Sequence, residues 1–443
     1  MKEEYGYSKK EYFKLLIKEF QENSLPTIFD RDLQIPLNSK KIVTIYGPRR
    51  SGKSFYFFSL IQKLLKHGIP IDRVVYLNFE DDRILPLSYK EMNYLLEAYF
   101  ELYPENKRRE VYLFFDEIQN VSDWEIFIRR IYEKEKVKIY LTGSSSKLLS
   151  PEIATSLRGR TISYRLFPLD FKEFLNFKKI RLKEDFKYTS QRYLIKKLLS
   201  EYMEWGSFPE VVLEEDKVLK RKILSEYFDS LVYRDLMERY SLENSELLKE
   251  LLKYLFTNVS CYFTVNAYFN TIKQVLSLSR QTLSQYLSYI QETFYISFLP
   301  IFSYSLKAQK VNPKKIICLD NGLRKVVSFN FSPDRGKLAE NLVGANLMIK
   351  ENRLENYGDG KEVGRELFYW KNDGEVDFVI KEGIELIGLN VCYSNVIPER
   401  ETISLFEFKR RQQNVKKLII ITEDIQQEVN GIDFIPLWEW IML

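Results

Sequence analysis

Residues 43–55 read Val-Thr-Ile-Tyr-Gly-Pro-Arg-Arg-Ser-Gly-Lys-Ser-Phe, a β-branched and aromatic run that breaks into Gly47-x-x-x-x-Gly52-Lys53-Ser54. An apolar periodic helix follows over residues 55–65. Strand, glycine-bearing loop and helix in that order are a unit of a parallel α/β sheet. Glycines let successive backbone N–H groups turn inward around a phosphate, and the helix N-terminus adds its positive end. A lysine at position 53 reaches the β- and γ-phosphates, and the Ser54 hydroxyl is a ligand for Mg²⁺. Gly47, Pro48, Arg49, Arg50, Ser51, Gly52, Lys53, Ser54 and Phe55 are therefore the candidate binding loop for a nucleoside triphosphate. Within it, Arg49 and Arg50 are expected to pack outward or pair with acids, because the backbone holds the phosphate.

A loop of this kind needs a carboxylate for the metal, and residues 111–120 supply one. Val-Tyr-Leu-Phe-Phe-Asp-Glu-Ile-Gln-Asn is an unbroken apolar run of the kind that forms a strand buried on both faces, and it ends in two acids. Asp116 fits the Walker B role of holding Mg²⁺, and Glu117 is placed to polarise the attacking water as general base. A further strand, Lys-Ile-Tyr-Leu-Thr-Gly-Ser-Ser-Ser over residues 138–146, ends in hydroxyls. Thr142 and Ser144 are candidates for a polar sensor of the γ-phosphate or the lytic water. A hydroxyl-rich turn capping the next helix is the competing reading. Residues 74–83 form another strand with an acidic tip, whose Glu80, Asp81 and Asp82 receive no role. Arg158 and Arg160 could act as an arginine finger, in this subunit or a neighbour, or form a solvated basic turn.

Composition narrows what else the chain can be. With 443 residues, two to four domains are expected, and 45% hydrophobic against 29% charged residues describes folded domains. Cys261, Cys318 and Cys392 are isolated, which points to neither a disulfide framework nor a zinc site. The single histidine, His67, sits at the expected C-terminus of the loop's helix, where a cation complements the dipole. Histidine triads and multi-histidine metal centres are thereby excluded. No run approaches ~20 apolar residues, and the N-terminus lacks the apolar core of a secretory signal. The expectation is a cytoplasmic protein with no membrane partner. Net charge of +5 is modest for this length. Abundant Lys, Glu, Ile and Tyr beside few Met and His match a thermophilic source.

Together, Gly47-Pro-Arg-Arg-Ser-Gly-Lys-Ser, Phe-Phe-Asp-Glu-Ile-Gln-Asn, Leu-Thr-Gly-Ser-Ser-Ser, Leu-Arg-Gly-Arg160 and Phe167-Pro-Leu resemble the AAA+-type ATPases of archaea and bacteria. Gly206-Ser-Phe-Pro-Glu210, Leu319-Asp-Asn-Gly-Leu323, Leu338-Ala-Glu-Asn-Leu-Val343 and Phe368-Tyr-Trp with Glu375-Val-Asp-Phe378 resemble the branch with a restriction-endonuclease-like C-terminal domain. The resemblance implies ATP as the nucleotide, Mg²⁺ as its ion, and a homo-oligomer as an open arrangement.

The expected architecture is α/β: an AAA+-like P-loop NTPase parallel-sheet core, a helical lid, a winged-helix segment and a small α/β restriction-endonuclease-like C-terminal domain. The expected divisions are an N-terminal helical segment 1–30, the ATPase core 31–184, the lid 185–245, the winged-helix-like segment 246–310 and the nuclease-like domain 311–443. Helices are expected over 193–203 and 217–240, separated by Gly206 and Pro209. Residues 265–276 and 282–292 read as a helix–turn–helix with Leu283, Leu287 and Ile290 inward. Arg280, Gln281, Ser284, Gln285 and Ser288 would face outward, able to touch double-stranded DNA; a purely structural role is the alternative. Tyr286 and Tyr289 are expected in the core or its rim, and Trp438 and Trp440 as packing anchors. In the last domain, strands are expected at 315–319, 366–370, 375–380, 384–393 and 417–422, with a helix over 336–349. Nuclease cores of the resembled kind place a helix Glu, a strand Asp and a Glu-x-Lys around Mg²⁺. Glu340 and Asp377 occupy the first two places, but Asn390 and Cys392 replace the Glu and Lys. Losing that carboxylate and charge should cripple metal-dependent hydrolysis.

The resulting expectation is a Mg²⁺-dependent ATPase in which Lys53, Glu117 and Ser144 act in catalysis, and Ser54 and Asp116 hold the ion. Its hydrolysis would switch the lid and C-terminal domains on DNA or a DNA-associated protein. A nucleotide-gated scaffold with negligible turnover, or an active nuclease-ATPase, are the alternatives.

Overall fold

The computed structural model describes residues 8–143, 156–157, 159–273, 278–328, 334–357 and 365–443. The chain forms two compact units, Met1–Phe167 and Pro168–Leu443.

The first unit is built on five parallel strands: β1 Ile42–Tyr46, β2 Val74–Asn78, β3 Val111–Asp116, β4 Val137–Gly143 and β5 Thr161–Arg165. Their order is β2-β3-β4-β1-β5. All five residues of β1 and all six of β3 are buried, as expected of strands covered by helices on both faces. Helices α1 Lys9–Glu22, α2 Lys53–Lys66, α3 Asn93–Leu102 and α4 Trp124–Lys134 complete the unit. Helix α2 buries Tyr56, Phe57, Leu60, Ile61 and Leu64, a stripe at 3.6-residue spacing. Phe57 meets the edge of Phe114 at 5.2 Å, and Phe114 stacks on Tyr140 at 4.6 Å. His67 is the C-cap residue of α2, its Nδ1 2.7 Å from the Lys63 carbonyl.

The second unit opens with α5 Phe171–Phe177, α6 Gln191–Trp205, α7 Pro209–Leu213 and α8 Lys217–Ser230. The expected long helix over 217–240 is continuous, α8 passing without a break into a π-helical stretch, Leu231–Glu238. Next come α9 Ser245–Thr257, β6 Tyr262–Phe263, α10 Val265–Ile272, α11 Arg280–Glu292, β7 Ile296–Leu299, α12 Leu306–Val311 and β8 Lys314–Cys318. Strands β6, β8 and β7 form an antiparallel sheet in that order. The strand expected to open the C-terminal α/β domain is instead the central strand of this small sheet, paired with β6 on one side and β7 on the other. Leu283, Tyr286, Leu287 and Ile290 of α11 are buried, and Tyr289 stacks on Tyr240 at 3.8 Å. One apolar core runs from Trp205 through α8, α9 and α11 to Val327, so the presumed lid and the helix–turn–helix share a single core.

Helices α13 Asn321–Val327 and α14 Arg335–Tyr357 lead into the last sheet. It comprises β9 Arg365–Lys371, β10 Glu375–Glu382, β11 Glu385–Cys392, β12 Val415–Thr422, β13 Gln427–Val429 and β14 Ile432–Pro436, with α15 Glu399–Arg411. The strand order is β9-β10-β11-β12-β14-β13. Asp320, the N-cap of α13, reaches the 206–207 turn and accepts from Ser207 N and Oγ at 2.6 and 2.7 Å. A Cβ on Gly206 would lie 2.1 Å from that carboxylate, so the Gly206-Ser207 and Asp320-Asn-Gly motifs are two halves of one packing joint. Trp438 and Trp440 are buried. No helix of the described residues is long and apolar enough to cross a membrane.

Candidate nucleotide site

Parallel strands bring their C-terminal ends to one edge, and the loop after β1 rises from that edge. Its shape requires glycine: Gly47 has φ 155°, and a Cβ there would sit 2.2 Å from the Leu166 carbonyl oxygen. Gly52, with φ 94°, is the N-cap of α2, so that helix begins at the loop's end. Arg31 braces the loop from outside, its guanidinium donating to Ser51 O at 2.9 Å and to Phe167 O at 2.7 Å. The Ser51 hydroxyl is buried without a hydrogen-bond partner among the described residues.

Lys53 is buried, and its Nζ donates to the carbonyls of Gly47 at 3.3 Å and Pro48 at 3.1 Å. Glu117 lies 3.9 Å from the same ammonium. The left-handed turn at Glu117, φ 51°, ends β3 immediately after Asp116. Gln119 donates to the other oxygen of the Glu117 carboxylate.

Asp116 is fully buried. Hydroxyls of Ser54, Thr142 and Tyr76 converge on it, the last at 2.9 Å. Burial first, and then the charge of Glu117, push its pKa above the ordinary aspartate value, while the three hydroxyls pull the other way. Thr142 accepts from Glu117 N at 3.1 Å while donating to Asp116. Its hydroxyl is therefore spent on positioning both acids rather than facing a phosphate. Ser144 and Arg158 lie outside the described residues.

Phe55 is half-exposed, so only its backbone belongs to the loop. Arg49 pairs with Glu80 at 3.2 Å, and Asp81 pairs with Arg83. Arg160 pairs with Glu133 at 2.6 Å. Its carbonyl accepts from Ile42 N at the first residue of β1. That is the end of the strand away from the loop, about 15 Å along it, so Arg160 does not reach the loop of its own chain. Two contributors escaped the sequence reading. Tyr76 sits in an apolar strand where a tyrosine reads as core, and Arg31 stands 20 residues before Ser51 with no motif around it.

Loop amides, Lys53, Ser54 and Asp116 match the needs of a triphosphate with a hard divalent ion, which takes oxygen ligands. The orphaned Ser51 hydroxyl leaves a further buried donor at the same loop.

The carboxylates picked out in the C-terminal domain also converge, but around a different partner. Glu340 of α14 and Asp377 of β10 both contact the ammonium of Lys315, at 2.9 and 3.0 Å. Asn390 accepts from Asp377 N at 3.1 Å and donates to Glu401 at 2.9 Å. Among the described residues no group of His, Cys, Asp and Glu is arranged to hold a metal ion.

A family model described as an AAA domain matches residues 39–175. Two domains of unknown function, DUF8612 and DUF4143, match residues 196–334 and 335–440. The uncharacterized protein MJ1544 of Methanocaldococcus jannaschii is 35% identical over 427 residues, covering 93% of this chain and 91% of its own. An uncharacterized protein of Haemophilus influenzae is 31% identical over 408 residues, covering 90% of this chain and 94% of its own. Among solved structures, the Walker-type ATPase paby2304 of Pyrococcus abyssi is 12% identical, with a TM-score of 0.44 over 72% of this chain and 95% of that one. With an AAA-type ATPase core on its phosphate loop, the chain belongs to the same family as MJ1544.

Proposed function

We propose that this chain hydrolyses ATP with Mg²⁺ on residues 47–55, and that turnover alters how its remaining domains engage DNA or a DNA-bound protein. The observation that carries the reading is the meeting of Lys53, Asp116 and Glu117 at one sheet edge beside a glycine-shaped loop. Lys53 would exchange the carbonyls of Gly47 and Pro48 for phosphate oxygens. Ser54 and Asp116 would hold the ion, which would supply positive charge against the charge developing on the phosphate. Glu117 would orient a water and accept its proton, with Gln119 fixing one carboxylate oxygen and Thr142 the backbone. An arginine finger from Arg160 would have to come from a neighbouring subunit, a homo-oligomeric arrangement.

The succession α9-β6-α10-α11-β7-β8, with strand order β6-β8-β7, supports a winged-helix reading of this segment. Arg280, Gln281, Ser284, Gln285 and Ser288 are exposed on α11, on the face opposite its buried leucines. The C-terminal domain is proposed to be a binding or assembly module rather than a nuclease, on the strength of Asn390 and Cys392. DNA nicking with Mg²⁺ or Mn²⁺, lost on Asp377→Ala, would overturn that.

The test is steady-state phosphate release from Mg²⁺–ATP, with and without duplex and single-stranded DNA. Turnover stimulated by DNA and abolished by Lys53→Ala supports the full reading. Bound ATP with background turnover under both conditions replaces it with a nucleotide-gated binding protein. Duplex binding that neither weakens with salt nor responds to Arg280→Ala removes the DNA part.

A further inference from the structure

Lys315, the second residue of β8, is fully buried. Its ammonium has three carboxylates around it: Glu340 at 2.9 Å, Asp377 at 3.0 Å and Glu375 at 3.3 Å. The acids come from α14 and β10, whereas the lysine comes from the small antiparallel sheet, so the cluster joins segments matched by two different domain families. Asp377 is fixed independently, its other oxygen accepting from Val391 N at 2.8 Å. The cage is closed on the lysine's side and open on the other, since the Glu375 side chain is 40% exposed.

Burying a lone ammonium is costly unless anions surround it, and burying three acids is costly unless a cation does. Burial works against the charge on Lys315, but the three carboxylates outweigh it and hold its pKa well above the lysine value. The two halves of the cluster are thus mutually dependent. The ammonium lies 2.9–3.3 Å from all three acids and fills the space between them, leaving none there for a divalent ion.

We infer that Lys315 is a built-in cation standing where this three-carboxylate cage would otherwise take a divalent metal ion. The cage is consequently metal-independent in the native chain and becomes a divalent-cation site when Lys315 is removed. The inference concerns Pro168–Leu443 alone and does not rest on the ATPase reading.

The experiment uses the full-length protein without nucleotide, with thermal unfolding and Mn²⁺ titration calorimetry as readouts. Native protein is expected to keep its midpoint in EDTA and in millimolar Mn²⁺. Lys315→Met is expected to lose about 5–10 °C, recover much of it with Mn²⁺, and bind an ion that the added Asp377→Asn abolishes. Mn²⁺ binding to native protein that Asp377→Asn abolishes would overturn the inference, as would a folded Lys315→Met chain with no such binding. Should Lys315→Met fail to fold, Glu340→Gln with Asp377→Asn in the native background decides. Loss of stability supports the counter-ion role, and unchanged stability overturns it.

Discussion

A buried lysine stands beside acids in each unit, Lys53 in the first and Lys315 in the second, and the two are held in opposite ways. Lys53 rests on two neutral carbonyls of its own loop, with Glu117 further off at 3.9 Å. Lys315 is clamped by three carboxylates at 3.3 Å or less. A carbonyl contact is exchangeable for a phosphate oxygen, because the incoming group carries more charge than the one it replaces. That clamp has no such competitor, since releasing the ammonium leaves its buried acids without their cation. The first lysine is built to change partners and the second to keep them.

The sharpest test of that contrast is a pair of single substitutions. Lys53→Ala should cut ATP turnover by roughly 10³-fold, the scale of losing one preorganised charge donor in a closed site. It should leave the thermal midpoint within about 2 °C. Lys315→Met should do the reverse, lowering the midpoint while leaving turnover per folded molecule near native. Equal loss of stability in both variants would erase the distinction.

Glu117→Gln comes next. It keeps the side chain's shape and the Gln119 contact but removes the proton acceptor, so turnover should fall about 10²-fold while ATP affinity stays near native. Weakened ATP binding with unchanged turnover would mean that Glu117 serves Lys53 rather than the water.

The first lysine could be read from the sequence and the second could not. Gly47, Gly52, Lys53 and Ser54 lie within eight consecutive residues, and their spacing encodes one backbone turn. Asp116 and Glu117 end an apolar run, so their position on a sheet edge follows from strand geometry. Lys315 is separated from Glu340 by 25 residues and from Asp377 by 62, and a lysine opening an apolar strand reads as a solvated strand end. Glu340 and Asp377 were visible as a pair, yet nothing local marked the cation that joins them. Tyr76 and Arg31 were missed for the same reason: each acts through a contact made only when distant segments pack. The boundary between lid and helix–turn–helix was similarly invisible, because periodicity reports each helix's apolar face and not which core it enters.

The clamp also titrates. Burial and Asp377 push Glu340 up to about 8, against the pull of Lys315. A carboxyl whose folded value lies above its unfolded value of ~4.3 binds its proton more tightly when folded. The stability this contributes is complete below pH ~4 and is lost as pH rises through 8. The second unit's unfolding free energy should therefore decline by up to ~1 kcal/mol per pH unit between about pH 5 and 8. Glu340→Gln should flatten this slope, which denaturant titrations at several pH values would read. An unchanged slope would place the titration elsewhere.

The smallest effect sharpens the picture on the exchangeable side. Tyr76 donates to Asp116 at 2.9 Å, and its ring packs on Phe20 of α1 and Phe58 of α2 at 4.9 and 5.0 Å. Tyr76→Phe keeps the ring packing and deletes only the hydroxyl. Asp116, already raised by burial, then loses one of the three donors that stabilise its anion, so its pKa must rise further. Activity that needs ionised Asp116 should consequently fall at a higher pH in the variant, moving the acid limb of the turnover profile upward. The Mg²⁺ concentration for half-maximal rate should rise about 10-fold at pH 7, as when a group supporting a metal ligand is lost. If Tyr76 were only a packing residue, the variant would keep its ring contacts and neither the acid limb nor the Mg²⁺ dependence would move.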